Sequence, residues 1–557
     1  MKKEGIRQFL LLILLSVCIL FLSDLAFAQN ENDHKNNISS PNVLFIIIDD
    51  LNDALGFMGG HPQSYTPNID RLARRGVTFS KAYTNCPLCN PSRASLWTGI
   101  APWSSNIYGN TGDGKTSNWR SNKILGKTVT MQEHFKANGY EIYGTGKVFH
   151  EYWKNNLPGI WTDHGNRIGF YPTPGKGGKN NPRCGHPSMP APLDKDVWLS
   201  CGPLSDVPDV PPDPKTGTPG YKGWTMASRP GGGGKPFRYV NENDRDLMPD
   251  ELSANYIMDL LNKDHDKPFF AICGFFRPHE PLYAPKKYFD MFPLDEIVLP
   301  VTIKNDLEDV PEILWNDPDA YNSRWKHERF LRLIEAGGTD MWKRWIQAYL
   351  ACCAFVDDQV GKILDALDSG QYAENTIIVL TSDHGYNMGE KETLFKYTLW
   401  EESARVPLII SVPGMQQEHP GECTKPVSLI DLYPTLTDLC GLSPEPNKYT
   451  NKRLPDGYSL KSLLSDPSGN NWLGPAAAIT VIANRDPSAS LHEQNISVRS
   501  ERWRYTLCAN GEEELYDHLY DPNEWTNLAL KTEYKDIREQ HNKYVLRLMQ
   551  NAENNCE

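Results

Sequence analysis

Positive charge is what this chain is short of. Its 57 Lys and Arg face 70 Asp and Glu, giving a net charge of −13 at pH 7. A surface of that sign does not hold polyanions by diffuse attraction, which argues against a nucleic-acid partner. An anionic ligand would need a local cationic pocket instead. Beyond the first 28 residues the sequence also lacks an apolar run long enough to cross a bilayer, so no stable membrane span is expected there. Internal repeats and coiled-coil heptads are missing too, which excludes solenoids and rods.

What is present is a globular composition, 39% hydrophobic over 557 residues. That length exceeds one ordinary core, so one large α/β domain and a smaller one are expected. At the N-terminus, Lys2, Lys3 and Arg7 precede an apolar stretch at 9–22, and Ala26-Phe27-Ala28 places small residues at cleavage offsets. Residues 1–28 read as a secretory signal peptide, implying a periplasmic or secreted protein. Of the 12 Cys, Cys18 leaves with that segment. In an oxidising compartment Cys184 with Cys201, and Cys423 with Cys440, are candidate bridges, although spacing does not fix connectivity.

Residues 43–48 form a continuous apolar, β-branched run, the pattern of a central parallel strand buried on both faces. It stops at Asp49-Asp50. A helix is expected over 67–75, with Pro67 at its first turn and Gly76 past its end, and another over 130–138. Short strands are expected at 140–143, 269–274 and 376–380, and a long helix over 342–367. This alternation implies a doubly wound α/β sheet, with ligands gathered at the carboxyl ends of its strands. Residues 151–249 lose the pattern to Pro and Gly, including 174–179 and 231–234, and read as a substrate-facing insertion. From about residue 473 a small α+β unit is expected, with hairpin strands within 496–507.

Two acidic pairs end two of these strands: Asp49-Asp50 and Asp383-His384. Carboxylates brought together repel unless a cation neutralises them, and a hard divalent ion such as Ca²⁺ meets that need. Cys89 lies two residues before Pro91, which opens a helical stretch, so it sits near a helix N-terminus that favours an anion. Gly146-Lys147-Val148-Phe149-His150 follows one strand, Arg277-Pro278-His279-Glu280-Pro281 another, and Lys396 comes shortly after the Asp383 pair.

The string Cys89-Asn90-Pro91-Ser92-Arg93 with Thr98-Gly99 resembles the signature of type I sulfatases, and the other motifs follow in the family's order. Gly146 to His150 and Arg277 to Pro281, with Ser382-Asp383-His384-Gly385, look most like the iduronate-2-sulfatase branch. The resemblance implies an alkaline phosphatase-like α/β fold, a large, mostly parallel sheet sandwiched by helices, in a catalytic domain at 29–472. A C-terminal subdomain at 473–557 would carry an antiparallel sheet. It implies that a formylglycine-generating enzyme oxidises Cys89 to an aldehyde whose hydrate attacks sulfur. It assigns Asp49, Asp50, Asp383, His384 and the converted Cys89 to the metal. His384 departs from the Asn of many members, which keeps Mg²⁺ and Zn²⁺ beside Ca²⁺. Arg93 would hold the hydrate, Lys147 and Lys396 the sulfate, His279 the leaving-group oxygen, and His150 the second hydroxyl. Branch resemblance suggests a sulfated polysaccharide or oligosaccharide, of algal or glycosaminoglycan type. Among the 15 Trp, Trp153, Trp161, Trp198 and Trp400 are candidate sugar-stacking faces. A phosphonate monoester or phosphodiester hydrolase, a choline or aryl sulfatase, and a non-catalytic glycan binder are the competing readings.

Overall fold

A computed structural model describes residues 40–554 apart from 111–117, 151–156, 168–171, 174–184, 213–216, 218, 227–234, 322–323 and 416–420. The expected signal peptide, the Gly-rich strings at 174–179 and 231–234, Trp153 and Cys184 lie outside the described residues.

The chain runs through β1 (Asn42–Ile48), α1 (Pro67–Arg75), β2 (Val77–Phe79), α2 (Cys89–Thr98), α3 (Met131–Ala137), β3 (Glu141–Gly146) and β4 (Asp163–Arg167). It continues with α4 (Pro249–Leu261), β5 (Phe269–Phe275), α5 (Arg324–Asp368), β6 (Thr376–Ser382), β7 (Leu408–Ser411) and β8 (Glu422–Cys423). β9 (Ala477–Ile482), β10 (Asn495–Ser500), β11 (Trp503–Leu507), β12 (Glu513–Asp517) and α6 (Lys535–Asn554) complete it.

The central sheet has the order β8-β2-β7-β6-β1-β5-β3-β4. β6, β1, β5, β3 and β4 are mutually parallel, while β7 runs antiparallel to β6 and β2. The unbroken apolar run of β1 has a simple cause. Leu44, Ile46 and Ile48 enter one hydrophobic core while Val43, Phe45 and Ile47 enter another on the opposite face. β5 and β6 divide their residues between the same two cores, so a helical layer must cover each side.

The expected helix at 342–367 is the second half of α5, which breaks at Gly337 and at Gly338, where φ is +58°. That left-handed turn suits a residue without Cβ. The expected strands at 140–143 and 376–380 run on to Gly146 and Ser382. α3 begins with a capping box, Thr130 and Glu133 each bonding the other's backbone N–H.

The insertion departs from expectation, because its described part adds β4 to the sheet edge in parallel with β3. An Asp-His-Gly-Asn-Arg strand has no apolar period to betray it. Cys201–Pro203 also pairs in parallel with Leu282–Ala284, directly after the His279 loop. The candidate disulfides are not formed: Cys201, Cys423 and Cys440 are free thiols. Cys423 lies in edge strand β8 and Cys440 ends the helix Leu432–Leu439, each spent on apolar packing. β9 to β12 form a four-stranded antiparallel sheet, with β10 and β11 the expected hairpin.

Candidate active site

Four adjacent parallel strands deliver their carboxyl ends to one place. β1 ends in Asp49-Asp50, β6 in Asp383-His384, β3 leads into Lys147 and His150, and β5 into His279. Register enforces the meeting: Ile48 pairs with Ser382 on one side and Phe275 on the other. Ser382 Oγ then ties the two Asp-bearing ends, donating to the Ile48 carbonyl at 2.7 Å and accepting from Leu51 N at 3.0 Å. At the end of β3, Gly146 has φ +69°, and a Cβ there would lie 1.8 Å from the Gly274 carbonyl oxygen. Only glycine allows that approach, which lets Lys147 N donate to Gly274 O at 2.8 Å and turns its side chain inward.

α2 begins at Cys89 and is buried along its whole length. Its first turn aims Cys89 at the strand ends, and its second carries Arg93 beneath them. Arg93 Nε donates to Asp383 Oδ2 at 2.8 Å and Nη2 to Asp49 Oδ1 at 3.1 Å. Lys147 Nζ donates to Asp49 and lies 3.5 Å from Cys89 Sγ. Lys396, delivered by the hairpin of Asn387–Met388 with Leu394–Phe395, donates to both oxygens of Asp50 at 2.6 and 2.7 Å. His384 Nε2 is 3.3 Å from Cys89 Sγ, while its Nδ1 meets the Gly385 carbonyl at 3.0 Å. That carbonyl can only accept, so Nδ1 carries hydrogen and a neutral ring turns its Nε2 lone pair to the site. All ten residues singled out in the sequence therefore converge: His150 lies close enough to Cys89 to lower its thiol, and His279 Nε2 lies 3.9 Å from Asp49 Oδ2.

Burial would raise the Cys89 thiol, but Lys147, Lys396 and His384, with His150 adding to them, pull it well below its ordinary value. Burial pushes the Asp383 carboxyl up, against Arg93 and with Asp49 adding to it. Burial would lower Lys396, yet Asp50, Cys89 and Glu280 hold it protonated.

The donor set fits a divalent cation. Ligand atoms of Asp49, Cys89, Asp383 and His384 all lie within 4.8 Å of one another, each fully buried. Buried carboxylates so close together, with an imidazole lone pair among them, suit such an ion.

Sequence reasoning missed the supporting layer. Tyr349 OH on α5 donates to the Asp50 carbonyl at 2.7 Å and accepts from Asn52 N at 2.9 Å, holding Asp50 at φ 61°. Asp250, at the start of α4, accepts from Phe276 N at 2.6 Å and Arg277 N at 3.3 Å. Arg277 Nη1 then donates to the His279 carbonyl at 2.9 Å. Glu280, quoted in its motif without a role, also faces the site. Burial would raise its carboxyl, but His279 and Lys396 hold it down, at about 2. No periodicity or motif marks Tyr349 or Asp250. Trp400, read as a sugar-stacking face, is 3% exposed and donates to Glu514, so it belongs to the core.

Comparison with known proteins agrees with this geometry. A family model described as Sulfatase matches residues 41–442, and one described as N-sulphoglucosamine sulphohydrolase, C-terminal, matches 389–551. A sulfatase of Formosa agariphila is 35% identical over 530 residues, covering 94% of this chain and 89% of that one. Human iduronate 2-sulfatase is 30% identical, covering 78% of this chain and 74% of its own. A solved structure in complex with its substrate, D-glucosamine-2-N,6-O-disulfate, shares the fold with a TM-score of 0.62 at 20% identity, covering 93% and 99%. The chain belongs to the sulfatase family, as a type I member of the alkaline phosphatase superfamily that hydrolyses sulfuric esters.

Proposed function

We propose that this is a secreted or periplasmic sulfatase that removes sulfate from a sulfated polysaccharide or its oligosaccharides, using Cys89 matured to formylglycine. The observation that carries the reading is the setting of Cys89. It starts a helix 3.3 Å from His384 Nε2 and 3.5 Å from Lys147 Nζ, among buried cations that an anionic ester requires. The carbohydrate assignment draws support from the named substrates of the relatives, an iduronate sulfate and a disulfated glucosamine.

As formylglycine, position 89 would supply two geminal hydroxyls, one to attack sulfur and one to expel sulfate. Asp49, Asp50, Asp383 and His384 would hold the cation, calcium by the predominance of oxygen donors. When bound, that ion supplies charge neutralisation and polarises the sulfate oxygens. Lys147 and Lys396 bind and orient the sulfate group in this buried site, and Arg93, held by Asp49 and Asp383, keeps position 89 and its hydrate in place. His279 Nδ1 donates to the Glu280 carbonyl at 2.7 Å, so it is the imidazolium form that carries on Nε2 the proton for the departing sugar oxygen. His150, near position 89, takes the proton of the second hydroxyl.

The test is release of inorganic sulfate from defined glycan sulfates, using secreted protein whose Cys89 peptide has been weighed. Co-production with a formylglycine-generating enzyme should convert the thiol and give turnover, and Cys89→Ala should give none. Converted protein that cleaves only small aryl or choline sulfates would end the carbohydrate assignment.

A further inference from the structure

Lys396 is presented by backbone that is unusual on both sides. Phe395 has φ 73° and Tyr397 φ 72°, left-handed values that residues with a Cβ seldom adopt. Neither flank is glycine, so contacts from elsewhere must impose the shape. Two buried side chains supply them. Asn387 Nδ2 donates to the Phe395 carbonyl at 3.0 Å, and Lys326 Nζ to the Tyr397 carbonyl at 2.6 Å. Each neighbour of Lys396 is thus held by its carbonyl, one from the facing strand of the hairpin and one from the first half of α5. The neighbouring rings are seated as well. Phe395 stacks on Trp325 with centroids 5.3 Å apart, and Tyr397 OH donates to the Tyr108 carbonyl.

Neither grip favours the fold. Lys326 is buried without an acidic partner among the described residues, and that burial pulls it down to about 7. Asn387 also donates to Thr398 Oγ1 at 3.2 Å, yet its Oδ1 meets nothing among the described residues. Apolar side chains at both positions would spare the core a desolvated lysine and an orphaned amide oxygen. Strained backbone and unmet burial gathered around one residue are what placement demands and stability does not.

We propose that Lys326 and Asn387 are positioning residues, which clamp the carbonyls of both neighbours of Lys396 and hold its Cα where the side chain meets the sulfate group. This role rests on the sulfatase reading of the site. It adds what that reading leaves open, how a lysine on a short hairpin is kept in place before substrate arrives. Lys326 can donate as amine or as ammonium, so the clamp does not depend on its charge. A cation fixed beforehand needs no reorganisation during the reaction, and a misplacement of about 1 Å can cost roughly a hundredfold in rate.

The test uses mature, metal-loaded protein and 4-nitrophenyl sulfate. Lys326→Met, close in shape, and Asn387→Ala should each lower kcat/KM by about tenfold or more, with the circular dichroism spectrum unchanged. In a Lys396→Ala background the same substitutions should change kcat/KM by less than about twofold, because the residue they position is gone. A merely structural role would lower it equally in both backgrounds, and that result would overturn the proposal. So would full activity in either folded single variant. In the wild type, amide hydrogen exchange across 394–399 should be slow. Exchange there at the rate of an exposed loop would overturn the clamp by itself, whether or not the variants fold. Wild type that turns over no sulfate ester would sink the sulfatase reading, and exchange across 394–399 left unchanged in the folded variants would still overturn the clamp.

Discussion

Asp383 shows how much one side chain carries here. It takes the Arg93 Nε–H at 2.8 Å, lies 3.6 Å from His384 Nε2, and holds a proton more readily than a free carboxyl because it is buried. Replacing it with Asn keeps the shape and removes the charge that a divalent ion needs. Asp383→Asn should lower bound metal per protein, measured by elemental analysis, by about tenfold or more with the circular dichroism spectrum unchanged. The ten site residues were legible because each stands at a strand end or beside a turn in a recognisable string. Tyr349 and Asp250 were not, because an isolated Tyr or Asp carries no pattern until the chain places it. Asp250 acts through two backbone N–H groups contributed from 26 and 27 residues further on, a relation no local window contains.

Among the elements, α1 illustrates a cap borrowed from elsewhere. Thr66 makes no side-chain cap, and the free N–H groups of Asn68 and Ile69 are instead taken by Asp357 on α5, at 3.2 and 2.8 Å. Burial raises the Asp357 carboxyl to about 6, although those N–H groups and the Asn68 amide hold it down. The folded protein therefore keeps this proton to a higher pH than the unfolded chain, whose value is near 3.8. The stabilisation from that proton is complete below pH 3.8 and is lost as pH rises through about 6. Wild type should accordingly lose about 2 to 3 kcal/mol relative to Asp357→Asn across that window, read from urea midpoints. The bounds of α1 were plain from Pro67 and Gly76, and β1, β5 and β6 from their apolar runs. β4 was hidden because an edge strand can remain polar, and the break in α5 because a Gly pair is also tolerated within helices.

Across the whole molecule, the loop that presents Lys396 is anchored by the C-terminal sheet. Arg504 on β11 pairs with Glu401 and Glu524 and donates to the Leu399 carbonyl at 2.8 Å. Arg499 Nε reaches Glu401 Oε2 at 3.2 Å, and Ala483 N donates to Tyr397 OH at 2.9 Å. Glu401, His518 and Glu524 could group around an ion by distance, but the guanidiniums of Arg504, Arg499 and Arg405 already neutralise the two carboxylates. Arg504→Met would leave the buried Glu524 without a guanidinium and remove one of the partners of Glu401. It should cost about 3 to 5 kcal/mol in urea unfolding and reduce turnover by loosening the segment that aims Lys396.

One consequence of this architecture concerns timing. Cys89 is 1% exposed once folded, and its neighbour His384 lies 295 residues later in the chain. Until the ribosome has delivered that distant stretch, the thiol has no roof. Any oxidising enzyme must therefore reach it on the growing or still-open polypeptide, and a molecule that closes first is sealed with an inert sulfur at its heart.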